Sequence, residues 1–290
     1  MPRGVPKAGF RKSRKSKKNT AAAGAGMTAV RETVQTETDS EIQERISDRF
    51  EILEDLTIGS TTGQVRSLIV SGPAGLGKSY TVEETLKFWD PDGVDHTIIK
   101  GYVRATGLYK LLFAHSEPGK VIVFDDADTI FFDDTSLNML KAVCDSTESR
   151  RVSYLTEGQL FDDETGTQLP KSFEFKGTII FITNYDFDAM IEKGHKLAPH
   201  LLAMMSRSHY IDLAMKTKRD YMVRIRQVVS KGLLGNVGID VTAQNEVVAF
   251  IEDNKDSLRE LSIRVALKVA SIRKLRQEKW QKIAKITCCR

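Results

Sequence analysis

Cysteine is nearly absent, with 3 in 290 residues, and proline is scarce at 7. Cys144, Cys288 and Cys289 give an odd count at no metal-ligand spacing, which argues against a disulfide framework and a cysteine zinc site. The five histidines, His96, His115, His195, His200 and His209, are scattered, so neither a Cys/His cluster nor a Ser-His-Asp grouping follows. Nowhere do about eighteen apolar residues run together, which excludes a helical membrane span. An apolar leader with a small-residue cleavage site is also missing from the first residues. A reducing cytosol is the expected setting.

Charge, by contrast, is plentiful and unevenly spread. The net of +4 hides a basic start, an acidic middle and a basic end. Residues 1–20 hold eight Lys or Arg and no acid. Residues 216–290 hold 17 basic against 8 acidic side chains, a net of +9, while 21–215 carry a net of −13. An acidic centre with basic ends points to a polyanion held at the ends. The plainer alternative is a solubilising tail beside an ordinary basic region.

At 41% hydrophobic the chain has enough apolar residues for one large domain and a small one. Residues 1–38 read as a basic, disordered arm. Within it Pro2-Arg3-Gly4-Val5-Pro6-Lys7 is faintly like a minor-groove hook, with Val5 where such hooks carry a second arginine. Order is expected from Ser40, where Ser40 and Gln43 have capping-box spacing. Ile42, Ile46, Phe50 and Leu53 then recur at helical spacing, and Gly59 to Gly63 is expected to end that helix. Strands are predicted at 65–71, 97–100, 121–124, 178–183 and 209–213, with a hairpin pair at 151–155 and 172–175. Helices are predicted between them at 80–89, 106–115, 135–145 and from Pro199. Beyond Lys216 the pattern is helical only: 218–230, 242–254 and from Ser257 onward. Strands alternating with helices imply a parallel sheet with helices on both faces.

The most informative run is Gly72-Pro73-Ala74-Gly75-Leu76-Gly77-Lys78-Ser79, which fits the phosphate-loop pattern G-x-x-x-x-G-K-[ST]. It follows the apolar Leu68-Ile69-Val70 and precedes a helical stretch opening at Tyr80. A strand, a glycine loop and a helix in that order let backbone N–H groups and the positive helix end face an anion. Lys78 is expected to reach the β- and γ-phosphates, and the Ser79 hydroxyl to sit on Mg²⁺. A second signature is Val121-Ile122-Val123-Phe124-Asp125-Asp126, four apolar residues that deliver two carboxylates to a strand end. Asp125 is expected to hold Mg²⁺ and Asp126 to orient the attacking water as general base.

On these two motifs the chain resembles the AAA+ ATPase family, across about residues 40 to 275. The resemblance implies further roles. Asn184 ends the strand Ile179-Ile180-Phe181-Ile182-Thr183 and matches the sensor that places the hydrolytic water. Arg207, after Leu201-Leu202-Ala203-Met204-Met205-Ser206, matches the arginine finger that enters a neighbouring subunit's site, with Arg150 and Arg151 as substitutes. Arg264, in Leu261-Ser262-Ile263-Arg264, matches the second sensor, on a helix that also carries Arg259, Lys268 and Arg273. Gly101-Tyr102-Val103 stands where AAA+ translocases carry a pore loop; its plainer alternative is an aromatic capping the sheet edge. One departure is Asp126, where most of the family has Glu. Leu137 to Asp145 and Phe173-Glu174-Phe175-Lys176-Gly177 look like small AAA+ ATPases often encoded by bacteriophages. The pairs Asp133-Asp134 and Asp162-Asp163-Glu164 read as capping and loop residues.

The expected fold class is therefore α/β, a P-loop NTPase parallel sheet with helices on both faces and a small C-terminal all-helical lid. Expected boundaries are an arm at 1–38, an AAA+ nucleotide-binding core at 39–214 and the lid at 215–290. ATP and Mg²⁺ are the expected ligands, with Gly72 to Tyr80 and Arg264 around the nucleotide. A homo-oligomer, a hexameric ring, is the expected form, acting on DNA or DNA-bound protein with no membrane partner. A protein unfoldase threading polypeptide past Tyr102 is a second class, and a nucleotide-gated scaffold with little turnover a third. Its place would be the cytoplasm, that of a bacterial host for a phage-encoded chain.

Overall fold

The computed structural model describes residues 37–163 and 165–290. The Pro2 to Lys7 segment, almost all of the basic arm, and Glu164 lie outside the described residues. Two compact units divide the chain, residues 1–41 and 42–290.

Helix α1 (Asp39–Thr61) begins with a reciprocal capping box. The Glu41 N–H donates to Thr38 Oγ1 at 3.2 Å, and the Thr38 N–H donates to Glu41 Oε2 at 2.7 Å. The box is thus Thr38/Glu41 and not the expected Ser40/Gln43. Both pairs have the right spacing, but a carboxylate is favoured over an amide in the first turn by the positive helix end. The far end falls within the expected Gly59 to Gly63: α1 passes through Gly59 and stops at Thr61, before Gly63 (φ 76°). Gly59 is used for closeness: a Cβ there would lie 2.7 Å from Val65 Cγ2 as the chain turns back.

Five parallel strands make the main sheet: β1 (Ser67–Ser71), β2 (His96–Lys100), β3 (Val121–Asp125), β6 (Thr178–Thr183) and β7 (His209–Asp212). Their spatial order is β2-β3-β6-β1-β7. β1, β3 and β6 are buried along their whole length. That is why their sequences are apolar without alternation. Ile69, Ile122, Phe124, Ile179 and Phe181 point to one face and join a core with α3 (Ala105–Ala114), α4 (Asp134–Val143) and α6 (Ala198–Met205). Leu68, Val70, Val121, Val123, Ile180 and Ile182 point to the other, against α1 and α2 (Lys78–Trp89). The period of two along each strand thus builds two cores and covers both faces with helices.

β4 (Arg151–Ser153) and β5 (Ser172–Glu174) pair antiparallel as a separate hairpin, as expected. Two short elements were not legible from periodicity: a 3₁₀ turn at Asp128–Phe131 and helix α5 (Phe187–Glu192). Each is shorter than two α-helical turns, too short to display a repeat.

The C-terminal region is helical: α7 (Lys218–Ser230), α8 (Val241–Asp253), α9 (Ile263–Leu275) and α10 (Trp280–Cys288). It has its own core, including Ile225, Val247, Ile251, Val265, Val269 and Trp280. The single helix expected from Ser257 onward is instead two. Residues 257–262 are not helical, because Ser262 is an N-cap whose hydroxyl accepts from the Val265 N–H at 3.3 Å. α9 then stops at Arg276 (φ −148°). Among the described residues no helix is long and apolar enough to cross a membrane.

Candidate functional site

Parallel strands bring the C-terminal ends of β1, β6 and β3 to one edge of the sheet, the edge where ligands of open α/β sheets collect. From β1 the chain enters the glycine loop and then α2, whose N-cap is Gly77 at φ 97°. Gly75, at φ 77°, has no room for a side chain: a Cβ would lie 2.7 Å from Ser262 Cβ. Its carbonyl accepts from the Ile263 N–H at 2.9 Å, so the loop is hydrogen-bonded to the start of α9.

Lys78 is 5% exposed, with its ammonium inside the loop. Nζ donates to the carbonyls of Gly72 (2.5 Å) and Pro73 (2.9 Å) and to Asn184 Oδ1 (2.9 Å). Burial pulls its pKa down to about 8, against the opposing pull of Asp126 and Asp125. The Ser79 hydroxyl donates to Asp125 Oδ1 at 2.8 Å. Asn184 Nδ2 donates to Asp126 Oδ1 at 2.7 Å. Because β6 lies between β1 and β3, Asn184 bridges the loop lysine and the second carboxylate.

Asp126 has φ 53° and is the non-glycine residue in left-handed backbone among those described. Such a conformation is held against a cost of order 1–3 kcal/mol and clusters at functional sites. Asp128, in the 3₁₀ turn just beyond, has its pKa raised by burial, with Asp126 and Asp125 adding to the effect.

A cavity of about 520 Å³ opens beside the loop. Lys78, Ser79, Asp126 and Asn184 line it together with Phe50, Arg224, Leu233 and Leu267. The volume suits a ligand the size of a nucleotide. Tyr80 and Arg264 also line the cavity, and Tyr80 is 63% exposed.

The other expected residues lie elsewhere. Arg207 is outside the cavity; its Nη1 donates to the Ala203 carbonyl at 2.8 Å and its Nε lies 3.9 Å from Asp145 Oδ2. Arg150 also lies outside the cavity. Its guanidinium is buried, donates to the Val143 carbonyl and sits 5.3 Å from the Phe175 ring. Arg151 is exposed on β4 and donates to Ser172 Oγ. Tyr102 is 71% exposed just past the edge strand β2, behind Gly101 at φ 97°, while Val103 packs against the core. Asp133 caps α4 by accepting from the Ser136 N–H, and Asp162 accepts from the Thr165 N–H in its loop.

Arg224 was not singled out by sequence. It is buried on α7, with its guanidinium 3.6 Å from the Phe50 ring centroid. Nη1 donates to Gln227 Oε1 at 2.8 Å and Nε approaches the Leu76 carbonyl at 3.4 Å. Burial lowers its pKa to about 10, so it stays charged at neutrality. A signal existed: Asp220, Arg224 and Gln227 share one helical face, and that face is buried.

No family model matches the chain. A protein of Enterobacteria phage T4, described as an uncharacterized 36.7 kDa protein in the nrdC-mobD intergenic region, is 36% identical over 250 residues. The match covers 86% of this chain and 76% of the phage protein. The chain belongs to that phage protein's family. An alignment of that extent within 290 residues takes in the glycine loop, the carboxylate strand and Asn184 of this family member.

Solved structures show remoter likenesses. A mutant of Thermotoga maritima RuvB is 14% identical, with 84% of this chain and 69% of that one covered at a TM-score of 0.48. RuvB described as a Holliday junction branch migration motor gives 14%, 84%, 68% and 0.44. NtrX from Brucella abortus, solved with ADP, gives 12%, 88%, 59% and 0.40.

Proposed function

We propose that this chain is a magnesium-dependent ATPase of AAA+ architecture, working as a homo-oligomeric ring on DNA or on protein complexes assembled on DNA. One observation carries the reading. Lys78, Asn184 and Asp126 form a continuous hydrogen-bonded chain, beside the Ser79–Asp125 pair, on the wall of a nucleotide-sized cavity.

The parts divide the work. Lys78 exchanges its carbonyl partners for β- and γ-phosphate oxygens, and the loop N–H groups cradle the phosphates. The Ser79 hydroxyl and Asp125 carboxylate are adjacent hard oxygen donors of the kind magnesium takes alongside phosphate and water, so they would hold the ion. When bound, magnesium neutralises charge on the phosphates. Asp126 accepts a hydrogen bond from the attacking water, and Asn184 holds that carboxylate in place. Arg264 contributes positive charge to the same cavity, and Phe50 and Leu267 offer it apolar surface that a base could contact. Arg207, set apart from its own cavity, serves the site of an adjoining copy. Residues 215–290 act as a lid over a core at 39–214.

DNA is the preferred partner because basic segments bracket an acidic centre. The phage relative supports a setting in the cytoplasm of a bacterial host. Calorimetry with ATP and with GTP, followed by phosphate release with and without DNA, tests the reading. Uptake of neither nucleotide by folded, magnesium-replete protein would overturn it.

A second reading, a translocase that threads polypeptide, is favoured by the exposure of Tyr102 behind its glycine. Stimulation of turnover by unfolded protein, and not by DNA, would select it.

A further inference from the structure

Asp125 is 4% exposed and both of its oxygens have partners. Oδ1 accepts from Ser79, and Oδ2 lies 3.1 Å from the Lys100 ammonium. The sheet dictates that second contact. Parallel pairing of β2 with β3 sets Lys100 directly beside Asp125, so both side chains leave the same face at neighbouring strand ends. Lys100 also reaches Glu83 Oε1 on α2, at 2.6 Å. Its side chain is 59% exposed, against 6% for Asp125.

We infer that Lys100 is a positioning residue for the metal half of the site, its ammonium acting as an exchangeable counter-charge that a divalent cation displaces from Asp125. The inference rests on the nucleotide reading above. A buried carboxylate needs a compensating charge, and Lys100 supplies one beside the Ser79 hydroxyl. A metal ion at Ser79 and Asp125 meets that ammonium as a like charge within a few ångströms. Glu83 offers the lysine a second partner, and its solvated stem allows the exchange.

Position in the chain gives the exchange a consequence. Lys100 is the last residue of the edge strand β2. Gly101, at φ 97°, comes next, followed by Tyr102. Release of Lys100 from Asp125 therefore loosens the root of the 101–104 loop, in which Tyr102 is exposed and Val103 packs on the core. Metal arrival at one end of the strand is felt at the tyrosine.

The test compares Lys100→Gln and Lys100→Arg with the unaltered protein. Mn²⁺ binding is followed by electron paramagnetic resonance in the presence of a non-hydrolysable ATP analogue, and loop mobility by hydrogen exchange at residues 101–104. Lys100→Gln should bind Mn²⁺ at least about fivefold more tightly, since a like charge is removed. Lys100→Arg should stay within about twofold of the parent, because it keeps the charge. Exchange at 101–104 should change on Mn²⁺ addition in the parent and not in Lys100→Gln. Equal or weaker Mn²⁺ binding by Lys100→Gln, or an exchange response that persists, overturns the inference while the nucleotide reading stands. A parent protein that takes up no Mn²⁺ with the analogue overturns both.

Discussion

The Asn184 amide holds the Asp126 carboxylate across 2.7 Å, joining the end of β6 to a residue in left-handed backbone just past β3. The amide fixes where a strained carboxylate points. Asp126→Ala should therefore bind ATP but turn it over at least about 100-fold more slowly, as loss of a general base does. The strain gives a second readout. Asp126→Gly should be more stable than Asp126→Ala by about 1 kcal/mol in urea unfolding, since glycine adopts positive φ without the Cβ penalty. Alanine proving the more stable of the two would refute strain at this position.

Lys78 must be charged to hold a triphosphate, yet burial lowers its pKa to about 8. Below that value the ammonium is present; above it the folded protein carries a neutral amine. Nucleotide affinity should thus fall as pH rises from 7 to 9, and binding near pH 8.5 should take up protons. Calorimetry in buffers of different ionisation heat measures that uptake directly. Lys78→Ala should bind no nucleotide at any of these pH values.

Arg207 contacts Ala203 and Asp145 and stays clear of its own cavity. If it completes a neighbour's site, Arg207→Ala should bind ATP normally and lose roughly 10³-fold or more in turnover. Mixing it with Lys78→Ala should restore part of the activity, because mixed assemblies contain intact sites between subunits. Absence of any rescue, with co-assembly shown by light scattering, would argue that hydrolysis is not shared.

Arg224 links Phe50 of α1 to the Leu76 carbonyl inside the phosphate loop. Arg224→Met keeps the bulk but removes the charge from the ring face and the donors from the carbonyl. It should lower stability by about 2 kcal/mol and weaken ATP binding. Unfolding in urea and calorimetry report the two losses separately.

The buried strands were readable because residues 68–70, 121–124 and 179–182 are apolar on both faces, a pattern that parallel sheets require. The glycine loop was readable because few other reasons place Gly72, Gly75, Gly77, Lys78 and Ser79 at that spacing. Other features lacked a local signature. The Thr38/Glu41 box competes with Ser40/Gln43 two residues on, and spacing alone does not choose between them. Gly59 looks like a helix end until Val65 is seen packing on it. The Lys100–Asp125 pair depends on β2 and β3 lying side by side in register, a relation between residues far apart in the chain. Arg224 needed knowledge of which face of α7 is buried.

The strand order carries a consequence for biosynthesis. β6, made after residue 177, slots between β1 and β3, which are complete by residue 125. A nascent chain halted on the ribosome before that point leaves two apolar strands with an unfilled gap between them. It also lacks Asn184. Ejected fragments of this length should bind chaperones and precipitate, so the sheet closes only once β6, ending at residue 183 of 290, has been made.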